Sequence, residues 1–171
     1  MTQPNDPTLS DLLSQIQLYL QEPLDFRRTD STTTVAKVRL LSAAASYFNV
    51  LAVTDFGGRP GPARAPGMVE QVIAAAFQTY RGHDPHPDHF EKAAALLRGI
   101  TQGHPFNDGN KRTGFLVAAY YLEQVGYPWP VGLPVDEVVS FCLTVSAGQI
   151  REIADIATYL RRLWGLSPGA G

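Results

Sequence analysis

The sequence predicts an all-α fold: a single-domain helical bundle built around one central apolar helix at about residues 110–125. Three observations carry that reading. Apolar residues recur at spacings of three and four along most of the chain, the period of a helix with one buried face. Caps and breakers punctuate these stretches where helices should start and stop. From Asn110 to Val125 the chain is apolar on almost every side, with Phe115, Leu116, Val117, Ala118, Tyr120, Tyr121 and Leu122 in one run. A helix without a polar face belongs in the middle of others.

Taken in order, Met1 to Pro7 reads as a polar tail. Thr8 can cap a helix whose Leu9, Leu12, Leu13, Ile16 and Leu20 share a face and which stops before Pro23. Asp25 to Thr33 is polar and reads as a linker. A second helix is expected over about Thr34 to Val53, apolar at Val35, Val38, Leu41, Ala45 and Phe48. Asp55 to Gly67 holds four glycines and three prolines and should be a turn region or flap. The next helix, about Met68 to Tyr80, repeats Val69, Val72, Ile73, Ala76 and Tyr80. Asp88, with Glu91 three residues on, resembles a capping box and starts a helix through Phe90, Ala94, Leu97 and Ile100. After the central helix, Gly126 and Pro128 enforce a stop. Pro134 opens another helix with Asp136 and Glu137 in its first turn. The last runs over about Gln149 to Trp164, with Ile150, Ile153, Ile156, Leu160 and Leu163 inward.

With 171 residues, 44% hydrophobic and 18% charged, the chain suits one soluble globular domain. A formal net charge of -2 argues against direct nucleic-acid binding. No basic N-terminal region precedes an apolar run, so no signal peptide is expected. The longest apolar stretch, Leu40 to Val53, carries Ser42, Ser46 and Asn49 and is too short for a bilayer, so no membrane partner is expected. The single cysteine, Cys142, lies among Val139, Phe141, Leu143 and Val145 and reads as an inert core thiol in a cytoplasmic protein.

The chemistry is concentrated in His104-Pro-Phe-Asn-Asp-Gly-Asn-Lys-Arg-Thr113. A turn at Asn107 to Gly109 followed by a helix from Asn110 or Lys111 would gather free N–H groups at the positive end of a helix dipole, a ready anion site. Gly109 lets the backbone approach a ligand. Asp108 beside the anion suits Mg²⁺, which takes one or two carboxylates together with phosphate oxygens. His104 is a candidate general base for an incoming hydroxyl. Arg112 offers a planar charged fork and Lys111 a point charge. Phe106 should point inward and pin the turn. A capped helix start beside a buried histidine is the plainer alternative, but it gives no reason for all these members within one decapeptide. Elsewhere, His83, His86 and His89 recur every three residues among prolines and read as exposed loop histidines before a metal site. Arg59 and Arg64 sit in the Gly/Pro-rich loop, where nucleotide contact and plain solvation are both open.

The decapeptide resembles the signature of the Fic/Doc family, closest to the Doc, or death-on-curing, branch. The likeness runs from roughly Leu41 to Trp164. It includes Gly57-Gly58-Arg59-Pro60-Gly61, similar to an upstream Gly-Gly-x-Pro-Gly element, and Ile156 to Leu163, similar to the Doc C-terminal helix. The resemblance divides the chain into a 1–33 extension with one short helix, a 34–165 Fic/Doc-like domain and a 166–171 flexible tail. It implies an ATP- and Mg²⁺-using transferase acting on protein hydroxyls. Its catalytic residues would be His104, Asp108, Lys111 and Arg112. The nucleotide would be bound by Gly109, Asn110, Lys111 and Arg112, and the metal by Asp108. The wider Fic motif, H-x-F-x-[DE]-G-N-G-R-x-x-R, belongs to AMP transfer. Here Lys111 stands at its second glycine and Phe115 at its second arginine, and both departures match Doc. The resemblance therefore implies transfer of the γ-phosphate to a threonine of elongation factor Tu by a toxin controlled by a small antitoxin in trans. AMP transfer stays open as the second activity and a silent binding module as the third reading. Self-inhibited Fic proteins carry [ST]-x-x-x-E-[GN], which none of Glu22, Glu70, Glu91, Glu123, Glu137 or Glu152 satisfies.

Overall fold

A computed structural model describes residues 24–61 and 67–167, and the helix expected over Thr8 to Leu20 lies outside them. Among the described residues the fold is all-α, with six helices in the order α1 Ser31–Phe56, α2 Met68–Ala75, α3 His89–Gly103, α4 Asn110–Gln124, α5 Val135–Ser146 and α6 Ile153–Leu163. None of them is long and apolar enough to cross a membrane.

The expected central helix is α4, but it shares the centre with α3. These two pack together most extensively; α3 also carries α2, α5 and α6, while α1 covers another flank of α4. Gly114 makes the α3–α4 approach possible: a Cβ there would lie 3.0 Å from Thr101 Cγ2 and 3.1 Å from the Leu97 carbonyl oxygen. Along α4 only Arg112 and Glu123 are exposed. Tyr121 is buried among the edges of Phe26 and Phe77, and its hydroxyl pairs with His89 Nδ1 at 3.0 Å.

Helix ends follow local chemistry, and they account for the boundaries that differ from the sequence reading. α1 starts at Ser31 because Asp30 caps it, accepting from the Thr33 N–H at 2.9 Å and the Thr33 hydroxyl at 2.7 Å. The linker before it is not loose: Phe26 is buried, and Arg27 Nη2 donates to the Val125 carbonyl at 2.9 Å. α2 stops at Ala75, where the Ala76 and Phe77 N–H groups bond the Ile73 and Ala74 carbonyls at 3.1 and 2.9 Å; further on, Arg81 and Gly82, both at positive φ, close a two-residue turn in which Tyr80 and His83 exchange main-chain hydrogen bonds. Asp88 caps α3, accepting from Phe90 and Glu91 N–H groups at 2.8 and 3.1 Å. α6 begins only at Ile153, with Arg98 Nη1 holding the Arg151 carbonyl at 2.7 Å just before it. Ile156 and Leu160 are buried as expected, whereas Val35 on α1 is 51% exposed and faces away from the core.

Burial holds the His89 and His86 imidazoles below the ordinary histidine value. The carboxylates of Asp88, beside His89, and of Glu91 and Asp84, beside His86, oppose this without overcoming it; Arg27, Lys92 and Lys37 near His89, and Lys92 and Arg98 near His86, reinforce it. The unfolded chain therefore takes up these protons more readily than the folded one, and acid favours unfolding. Stability from this source is complete above about pH 6.5 and falls as pH drops through the lower folded-state values. The melting temperature is expected to fall between roughly pH 6.5 and pH 5, above the range where carboxylates titrate. A His86→Gln, His89→Gln double variant should show a flatter profile over that window by calorimetry.

Candidate active site

The site forms where the end of α3, the start of α4 and the end of α1 meet. α3 closes at His104, whose N–H bonds the Ile100 carbonyl at 3.3 Å and whose backbone is left-handed, with φ 47° and ψ 55°. That region is unusual for a residue with a Cβ, and Pro105 immediately after makes it less favourable still. The side chain itself is exposed. Phe106 is buried, as the motif requires. The Asn110 amide clamps it: Oδ1 accepts from the Phe106 N–H at 3.0 Å and Nδ2 donates to the Phe106 carbonyl at 2.9 Å. Asn110 thus faces inward, and its backbone N–H is what it can offer a ligand.

Gly109 turns the chain into α4 with φ 75°. A Cβ there would lie 3.1 Å from Asn49 Nδ2 and 3.2 Å from Val53 Cγ1, so the turn is pressed against α1. The first main-chain bond of α4 runs from the Thr113 N–H to the Gly109 carbonyl at 2.9 Å. The N–H groups of Asn110, Lys111 and Arg112 precede it and are the donors a helix start leaves for an anion.

Asp108 is exposed, and its Oδ2 accepts from the Arg59 N–H at 2.8 Å. The same strap, residues 57–61, bonds the turn again through the Asn107 N–H to the Gly61 carbonyl at 3.0 Å. Asn49, buried in α1, joins both segments. Its Nδ2 donates to the Asp108 carbonyl at 2.7 Å, and its Oδ1 accepts from the Gly61 N–H at 3.2 Å. The motif alone gave no sign of Asn49; the available signal was a lone amide within an apolar helical stretch.

The two cations part company. Arg112 reaches α1, where Nη1 donates to the Ala52 carbonyl at 2.9 Å and the guanidinium lies 4.4 Å from the centre of the Phe56 ring. Lys111 is half-buried on the α5 side, close enough for its charge to act on Cys142. Burial nevertheless pushes that thiol up to about 12, as an inert core cysteine requires. Asp108, Gly109 and Arg112 are therefore brought together at the end of α1, with Lys111 on the opposite flank of the same helix start. Arg59 meets the site through its backbone, and Arg64 lies outside the described residues. His89 is tied to Tyr121, and no group of three or more potential ligands for a metal occurs among the described residues. An exposed carboxylate beside three free N–H groups nevertheless fits a Mg²⁺–nucleotide complex, in which phosphate oxygens supply most of the coordination.

A family model described as the Fic/DOC family matches residues 40–122, which take in most of α1, all of α2 and α3, and most of α4. The Protein kinase doc of Escherichia phage P1 is 31% identical over 113 residues, 66% of this chain and 85% of that protein. The chain belongs to the Fic/Doc family. Every described residue of the site lies inside the family match. Toxin Doc of Mycolicibacterium smegmatis is 35% identical over 81 residues, covering 47% of this chain and 62% of the relative. A Fido domain-containing protein of Dictyostelium discoideum is 33% identical over 73 residues, 42% of this chain and 51% of its own length.

The left-handed backbone at His104 is where structure and chemistry separate most cleanly. Glycine accepts that conformation without strain, so His104→Gly is expected to stabilise the fold by up to about 1 kcal/mol, or roughly 2–4 °C in melting temperature. Differential scanning calorimetry measures this; a lower melting temperature would mean the imidazole contributes to folding.

Proposed function

We propose that this protein is a Doc-like toxin that transfers the γ-phosphate of ATP to a serine or threonine hydroxyl of a translation factor, with elongation factor Tu the candidate that the family resemblance supplies. It would act in the cytoplasm under the control of a small antitoxin. The observation that carries the kinase reading is Phe115. It occupies the position of the second arginine in the AMP-transfer motif, and it is buried with its ring 6.5 Å edge-on from Trp129. Within the motif the charge available to phosphates is then Arg112, Lys111 and the α4 N-terminus, without a second guanidinium fork. The similarity to proteins named Protein kinase doc and Toxin Doc supports the same reading.

In this scheme the N–H groups of Asn110, Lys111 and Arg112 bind phosphate oxygens, and the Arg112 edge not held by Ala52 adds a charge-assisted bond. Asp108 would hold Mg²⁺, which would neutralise phosphate charge when bound. The Arg59 N–H fixes the carboxylate for that role. His104 takes the proton of the attacking hydroxyl. That oxygen bonds the γ-phosphorus, the bond from phosphorus to the bridging oxygen breaks, and ADP leaves. The buried, satisfied Asn110 and the clamped turn keep these groups in place without reorganisation.

ATP labelled at the γ position should mark the protein target, and ATP labelled at the α position should not. Label arriving from the α position instead would establish AMP transfer. His104→Ala and His104→Gly should both remain folded and lose about 10²–10⁴ in rate; full activity in either removes His104 as base.

Control in trans makes a second prediction. No glutamate in the chain has the surroundings of a built-in inhibitory helix, and the arginine it would grip is Phe115. Removing residues 1–23 leaves Phe26 and Arg27 to cover the end of α4 and should leave activity near that of the full chain. A marked rise without any partner would identify the N-terminal segment as the brake.

A further inference from the structure

Phe56 is the last residue of α1 and is 69% exposed, a position where a large apolar ring gains little from burial. Its ring stands 4.4 Å from the Arg112 guanidinium carbon, a cation–π distance. One turn earlier on the same helix, the Ala52 carbonyl accepts from Arg112 Nη1 at 2.9 Å. α1 has no basic residue in its own last turn, so Arg112 supplies the positive charge that its C-terminal dipole favours.

These two contacts constrain the guanidinium differently. The carbonyl fixes one in-plane N–H. A single hydrogen bond leaves the planar group free to rotate about that bond. A ring against the guanidinium carbon restricts this freedom. With one N–H held by the Ala52 carbonyl and the ring packed on its carbon, the rest of the fork is left for the first turn of α4. A planar fork recognises phosphate through its edge, so its orientation decides whether a bidentate contact forms.

We propose that Phe56 is a positioning residue of the anion site, orienting the Arg112 guanidinium so that its free edge meets nucleotide phosphate. This rests on the nucleotide reading above. It explains why an aromatic is kept exposed at the lip of the site, directly before the strap that holds Asp108.

The test is calorimetric titration of ATP with Mg²⁺ into the full-length protein, so the readout is affinity rather than turnover. Phe56→Leu should weaken binding about two- to five-fold, the range of an exposed cation–π contact, with an unchanged melting temperature. Phe56→Trp should restore wild-type affinity. In an Arg112→Lys background, where no planar fork remains to be oriented, Phe56→Leu should cause no further loss. Wild-type affinity in Phe56→Leu overturns the inference. So does an equal loss in the Arg112→Lys background, which would mean that the ring touches the nucleotide itself. Absence of ATP binding by the wild-type protein would remove the nucleotide reading, a result distinct from either.

Discussion

The buried amide of Asn49 is the contact on which the rest of the site depends. It projects from the middle of α1 and reaches the Asp108 carbonyl, the Gly61 N–H and, at 3.4 Å, the Thr113 hydroxyl. A buried amide is tolerated only when its donor and acceptor are both used. The requirement is mutual, because the motif turn and the strap also lack other partners for the groups they present to it. Removing the amide would leave a carbonyl and an N–H to find water or go unpaired, at about 1–3 kcal/mol each where water cannot reach. One side chain on a rigid helix thereby sets the register between the carboxylate-bearing turn and the strap that bonds the carboxylate.

The rest of the site is built on helix ends for the same reason of rigidity. α3 and α4 approach closely over Gly114, so the turn between His104 and Gly109 spans a fixed gap. The reciprocal bonds between Asn110 and the Phe106 main chain lock that turn from within. The strap is different in kind. Its hydrogen bonds with the turn run from the Arg59 N–H to Asp108 and from the Asn107 N–H to the Gly61 carbonyl, and residues 57–60 are exposed. It has little buried apolar surface to hold it, which places it at the low-stability end of the structure, where segments that meet ligands are commonly found. The firm parts carry the candidate phosphate donors, and the softer part touches the metal-binding candidate.

Much of this was legible in the sequence because the signals were local. The decapeptide located the helix start, Phe106 as its anchor and Gly109 as the turn. Asp88 announced α3, and Gly126 the end of α4. The boundaries that differ turn on short hydrogen-bonded pairings that an apolar period does not contain. Asp30 caps α1 through Thr33 inside what reads as linker, and α2 ends in the bonds from the Ala76 and Phe77 N–H groups to the Ile73 and Ala74 carbonyls although Tyr80 continues its apolar period. Val35 fits the helical period yet is exposed, since period alone does not say where along a long helix the neighbours stop. Asn49 escaped notice because its partners lie 12, 59 and 64 residues away in the chain. The inward turn of Asn110 and the attachment of Arg112 to Ala52 are likewise tertiary facts, and no spacing rule contains them.

Anion binding at the start of α4 and the choice of nucleotide orientation are separable problems. The first needs only backbone: three N–H groups and a dipole, which would be indifferent to which phosphate they meet. The second must come from side chains, because only they break the symmetry around the helix axis. Arg112 is drawn to the α1 side by Ala52 and Phe56, whereas Lys111 lies toward α5, so the two charges flank the helix start instead of stacking on one side of it. A triphosphate laid across that start meets a planar fork at one flank and a point charge at the other. These differ in geometry more than in charge, since the fork selects two oxygens of one phosphate and the ammonium ranges over several. In the kinase reading proposed above, Lys111 in place of a glycine and Phe115 in place of an arginine would change which end of the chain of phosphates is held most firmly. The phosphorus presented to a hydroxyl near His104 would change with it, while the backbone offered to the anion stays the same.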